Sequence, residues 1–259
     1  MWYQRGFLGS NQSQLHYLDT QPAQTTLSDG RRVSMNALHQ WGPKRYSLEF
    51  DHYTTHFGAV INDEIEKDLF GAIDVTGAGA VRAFINGNNS AMHESFSDFF
   101  EYLDAQKLRT PKGLDWIKSR YSALSQLQLM QEMQSLRFMH CTMWTEGVRE
   151  IVSAEQSDVK FIVTDHPVTV YNAALPPTSP ECSYPEDPLI DLIGSQTVFA
   201  LNANTCLILT HLEYAQEPRL SNATMPRIHA RYRGQSLVRT DAFIRKRKLT
   251  RDEVIAINH

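Results

Sequence analysis

Five prolines fall between Pro176 and Pro188, in "PPTSPECSYPEDP". Proline lacks a backbone N–H and holds φ near one value, so this stretch excludes a helix interior and a central strand. It predicts a surface loop, with 181–188 as part of it. The loop interrupts a run of strands and does not separate two composition classes. Upstream, "NDEIEKDLFGAIDVTGAGAVRAFI" and "SFSDFFEYLDAQ" repeat apolar residues at helical intervals, and "PKGLDWIKSRYSALSQLQLMQEMQSLRFMHCTMWTEGVREIVSAE" extends that pattern, with a break near Gly147. Around the loop, "VKFIVTD", "TVFALN" and "TCLILTH" are short apolar runs bounded by turn residues and predict strands over 159–165, 196–201 and 205–210.

Local signals mark the ends of several elements. Asp29-Gly30 predicts a tight turn inside an N-terminal β-element that begins with "LHYLD". Asn62 or Asp63 can cap the first long helix, where Glu64 and Glu66 would favour its positive end. Pro111 suits a first helical turn, and Thr250 with Glu253 forms a capping box. The class predicted is α+β: a helical middle, a small N-terminal β-element and a small C-terminal mostly antiparallel sheet. One domain over 1–259 is expected, because the candidate site draws on both halves.

Composition narrows the setting. No stretch of 18 apolar residues and no secretory leader pattern is present, which predicts a chain off the membrane. Three scattered cysteines, Cys141, Cys182 and Cys206, predict free thiols in a reducing, cytoplasmic compartment. The net charge of −4 is uneven: Arg227 to Arg251 holds nine basic residues and one acid, leaving sixteen basic against twenty-eight acidic residues elsewhere, a balance of −12. The basic C-terminal segment, 227–259, either meets an anionic partner such as nucleic acid or folds back on the acidic body.

The segments "WYQRGFL", "FDHYTTHFG", "NDEIEKDLFGAID" and "KFIVTDHPVTVYN", followed by "DPLIDLIGSQTVFALNANTCLILTH", resemble the bacterial DUF4238 family, a group of unknown function. The resemblance spans nearly the whole chain and makes Asp51 and Tyr53 family-like positions. It implies a His-x-x-Pro segment ahead of Tyr3 and a last helix running beyond His259, so the chain is expected to be trimmed at both ends.

Thr164-Asp165-His166-Pro167 is the candidate site. Pro167 keeps His166 out of helix and ends the preceding run. An acid there serves either as a turn former or as a reactive group mounted on a rigid edge. Glu66 shares a helical face with Leu69 and Phe70 and so is the better partner from the helix start. Joined to Asp165 it would hold magnesium or manganese, which activates water and neutralises charge at phosphorus. Asp51, Tyr53, His166, Arg231 and Arg233 would bind substrate, with the basic segment on the phosphate backbone.

Two functions follow. One is a metal-dependent hydrolase, a nuclease in particular, with Asp165 and Glu66 as catalytic residues and ligands. The other is a non-catalytic binding protein whose acids cap and turn. Glu66 and Asp165 within about 5 Å in one cleft would favour the first, because a shared ion requires that spacing. Four further patterns have structural readings. His52 and His56 sit in extended sequence and stand too far apart for one metal. Gly77 and Gly79 let helices approach, Met130, Met133, Met139 and Met143 fill core gaps, and His140-Cys141 has no partner nearby in sequence, with Cys141 buried and inert.

Overall fold

The first ordered segment is a single helical turn, α1 (Trp2–Arg5), which opens a unit spanning Met1–His52. In the computed structural model the described residues are 2–9, 11–42, 55–57, 60–62, 71–121, 123–219, 221–227 and 244–259. Strands β1 (Leu15–Leu18), β2 (Gln24–Thr26), β3 (Arg32–Ser34) and β4 (Leu38–Trp41) form a nested ribbon: β1 pairs with β4 and β2 with β3, both antiparallel. The expected Asp29-Gly30 turn closes the inner pair. Gly30 has φ +85°, a conformation that glycine adopts without steric cost, and Asp29 Oδ1 accepts from the Arg31 amide at 3.0 Å. On one face of the outer pair Tyr17 and His39 both stack near Trp41, with ring centroids 5.1 and 4.7 Å from it.

The second unit, Tyr53–His259, holds the rest. After the small ladder β5 (Thr55–Phe57) and β6 (Val60–Asn62) come α2 (Gly71–Asn86), α3 (Asn89–Glu94), α4 (Phe96–Leu108), α5 (Pro111–Arg120) and α6 (Gln126–Thr145). Then follow β7 (Gly147–Ser153), β8 (Val168–Asn172), β9 (Ser195–Asn202), β10 (Thr205–His211), a short α7 (Leu212–Gln216), β11 (Ile244–Lys248) and α8 (Arg251–Asn258). The sheet order is β11-β7-β10-β9-β8; every pair is antiparallel except β11 with β7. The α+β class, the helical middle and the mostly antiparallel C-terminal sheet are as expected from sequence. Among the described residues no helix is long and apolar enough to cross a membrane.

Helix α4 is the centre of this unit. Ten of its thirteen residues are buried, because α2, α6 and the sheet all pack on it. Phe99 stacks on Phe84 of α2 at 3.9 Å, Phe100 faces Trp144 of α6 at 6.2 Å, and Phe99 and Tyr102 approach Phe199 of β9. Burying a phenylalanine completely contributes about 1.5–3 kcal/mol, so these rings decide which face of the sheet α4 covers. Strand β9 alternates buried and half-buried residues, the pattern of a sheet with one face on a core. A methyl on Gly77 of α2 would lie 2.5 Å from the Tyr102 ring, so the helix approach read from the glycine pair rests on Gly77; Gly79 faces open space.

Three expectations change. The run 159–165 is not a strand. Its backbone is held in an irregular path: the Phe161 amide donates to Ala203 O, and the Asn258 side chain of α8 brackets Lys160 O and the Ile162 amide. The strand begins only after Pro167, whose missing N–H cannot join the ladder. Gly147–Ser153, read as helix, is instead a central strand, since Val148, Ile151 and Val152 are β-branched and buried between β10 and β11. The long helical stretch is also two helices: α5 ends at Arg120, and Ser125 starts α6 with a capping box to Gln128. The proposed cap at Asn62 or Asp63 involves 63–70, which lie outside the described residues.

Candidate functional site

The C-terminal half of α4 is buried on all sides, yet it contains Asp104 and Lys107. Residues three apart lie on one helical face, so both charges point the same way. Each is satisfied by a partner from far along the chain. Asp104 Oδ1 stands 2.6 Å from Nδ1 of His140 on α6, with both side chains 4% exposed. Lys107 Nζ donates to Asp187 Oδ2 at 2.7 Å, and Lys112 of α5 donates to the other oxygen of Asp187 at 2.6 Å.

The corner between α4 and α5 completes the second cluster. Thr110 caps α5 by accepting from the Gly113 amide at 3.1 Å, with Pro111 in the first turn as expected. The Thr110 hydroxyl is also 2.7 Å from His166 Nδ1, and His166 Nε2 is 3.3 Å from Asp187 Oδ2. The network assigns the tautomer. A lone pair on Nε2 would face a carboxylate, so Nε2 carries the proton and donates to Asp187, while Nδ1 accepts from Thr110. Burial pushes the His166 pKa down. For Asp187 burial acts upward, but the hydrogen bond from His166 and the charges of Lys107 and Lys112 outweigh it and hold the carboxyl well below the usual range.

Asp187 belongs to the proline-rich loop, and the same loop is tied along one face of α5. Tyr184 Oη donates to Asp115 at 2.6 Å, and Trp116 Nε1 and Arg120 each donate to Glu186 at 2.9 Å. The Arg120 guanidinium lies 4.8 Å from the Trp116 ring centroid. Lys112, Asp115, Trp116 and Arg120 follow helical spacing, so the loop crosses α5 as a strap.

Between strap, α5 and α6 lies a cavity of about 360 Å³. Leu108, Trp116, Leu136, Met143, Pro188 and Ile190 supply apolar wall, and Lys107, His140, His166 and Asp187 supply polar floor. Met139, expected in the core, is 42% exposed beside the cavity, whereas Met133 and Met143 are buried as expected. At the rim, a hydrogen bond to Glu132 pushes the Tyr121 pKa up. Cys141 is buried, and desolvation pushes its thiol up, as an inert cysteine requires.

The predicted site residues divide. Asp165 is exposed on its turn, while His166 is 7% exposed and meets the cavity. Glu66, Asp51, Tyr53, Arg231 and Arg233 lie outside the described residues. Among the described residues no group of three His, Cys, Asp or Glu side chains is placed to hold a metal ion. Two arginines of the basic segment turn back on the acidic body, Arg227 pairing with Glu146 and Arg247 with Glu150, and Arg247 also pairs with Glu253 of its own segment. Sequence reading missed Asp104, Lys107, Lys112 and Asp187. The one available signal was a pair of charges inside the apolar run of α4. His140 has no partner nearby in sequence, because its partner Asp104 comes 36 residues earlier.

No family model, no curated protein and no solved structure matches the chain.

Proposed function

We propose that the Tyr53–His259 unit is a non-catalytic binding domain whose ligand is a small molecule seated between the strap, α5 and α6. The single observation carrying this reading is the cavity itself. Its volume of about 360 Å³ falls within the range used by small-molecule sites, and it combines apolar walls with a few convergent buried polar groups. The polar groups are fixed in advance by salt bridges and caps, so a ligand would meet an ordered site and lose little affinity to ordering side chains.

Ligand-observed NMR with a library of small aromatic and aliphatic compounds tests it, run on the whole chain and on Met139→Trp. Residue 139 is half exposed at the cavity wall, so the larger ring should narrow the space without disturbing the core. The expected result is a set of binders that weaken in the variant. Binders that ignore Met139→Trp, or none at millimolar concentration, would place recognition elsewhere.

A further inference from the structure

Two histidines line the cavity, His140 beside the buried Asp104 and His166 beside the half-buried Asp187, but they are not equivalent. His166 has both nitrogens engaged, one by Thr110 and one by Asp187. His140 has Nδ1 engaged by Asp104, and among the described residues Nε2 has no hydrogen bond. His140 lines the cavity while Asp104 does not, and Nε2 is not fully enclosed, so this nitrogen is the ring's open position. A carboxylate oxygen without a proton accepts only, so in the neutral form of the ring Nδ1 carries the proton and Nε2 is left as an acceptor. His140 is 3% exposed as a whole residue, and the small accessible surface that Nε2 keeps is where a ligand atom would reach it.

The charges of the lining complete the picture. Lys107, Lys112 and Arg120 face Glu132, Asp187 and Asp191, three cations against three carboxylates. The cations are already engaged: both lysines by Asp187, and Arg120 by Glu186. An anionic ligand would have to displace one of these acids, and a cationic one at Asp187 would compete with both lysines. An uncharged ligand faces neither penalty.

Resting on the reading of the cavity as a binding site, we infer that it takes a neutral, largely apolar molecule with a hydroxyl group, and that this hydroxyl donates to Nε2 of His140. The walls of Leu108, Leu136, Met143 and Ile190 take the apolar body. Asp104 acts as a positioning residue that fixes the ring and its tautomer.

Three probes of one shape separate the components: 2-naphthol, its methyl ether 2-methoxynaphthalene, and 2-naphthoate. Affinities are measured by fluorescence or calorimetric titration on the whole chain, on His140→Phe, on Met139→Trp and on the double variant His140→Phe/Asp104→Leu. The double variant guards against misfolding, since replacing both partners of a buried polar pair by apolar groups is far milder than stranding one. The wild type should bind 2-naphthol about 3- to 10-fold more tightly than the ether, the worth of one hydrogen bond, with 2-naphthoate the weakest of the three. Both His140 variants should erase the preference for the hydroxyl while keeping affinity for the ether. Equal binding of naphthol and ether by the wild type, or a preference that survives the double variant, overturns the inference; if Met139→Trp still weakens both probes, the cavity reading stands without it. If no probe binds, or Met139→Trp changes none of them, the cavity reading fails first and the inference with it.

Discussion

Lys107 and Asp187, eighty residues apart in the chain, meet at 2.7 Å with side chains only 11% and 15% exposed. This contact, doubled by Lys112, fastens the proline-rich strap to the α4–α5 corner and so defines one wall of the cavity. Asp187→Asn keeps the shape and removes the charge that two ammonium groups share. The expected loss is about 1.5–3 kcal/mol, the worth of a hydrogen bond to a charged group. Chemical denaturation should show it, together with faster proteolytic cutting within 173–194; unchanged values for both would mean that the strap is held by its other ties.

Acid should loosen the same corner in two stages. His166 and His211 have pKa values pushed down by burial, His211 being held by Ile190 O and Arg227. In the unfolded chain a histidine titrates near about 6.5. Below that pH the unfolded state takes up protons that the folded state resists, so stability is complete above it and falls as pH drops from about 7 toward 5. Asp187 is also held below its ordinary value, which makes its contribution full above about 4 and lost on further acidification. A melting-temperature profile from pH 8 to 3 should therefore decline on the acid side, and His166→Gln should flatten the first stage. A profile rising between pH 7 and 5 would contradict the buried neutral assignment.

The glycine pair of α2 offers a contrast within one helix. At Gly77 a methyl would meet the Tyr102 ring at 2.5 Å, and Gly77→Ala should cost about 1–3 kcal/mol, as overpacking does. At exposed Gly79 nothing lies within 4 Å, so Gly79→Ala should stabilise by up to about 1 kcal/mol through helix propensity. Equilibrium denaturation of the two variants should move in opposite directions; a shared direction would count against the α2–α4 contact.

Asp165 decides between the two functional readings. It is exposed, and Asp165→Ala should change stability by no more than about 0.5 kcal/mol and leave probe binding in the cavity intact. If the wild type cleaves DNA or RNA with magnesium or manganese and Asp165→Ala does not, the hydrolase with Glu66 is the correct reading.

What could be read from sequence was local. The Thr250–Glu253 capping box, Pro111 at the head of α5 and the Asp29-Gly30 turn each depend on residues within one or two turns of chain, and each is present. The switch from helical to strand periodicity was legible for the same reason, since α2 and β9 bury residues at intervals set by their own geometry. Short apolar runs are ambiguous because burial alone does not select a backbone conformation. "KFIVTD" is held by the side chain of Asn258 and by a turn at Ala203, while "GVREIVS" found two strand neighbours. The site was the least legible part. Asp104 with His140, and Lys107 with Asp187, become partners only when α4 is enclosed by α6 and the strap. Their charges are tolerated in the interior because each finds the other there, a pairing made by packing between distant segments that leaves no spacing in the sequence.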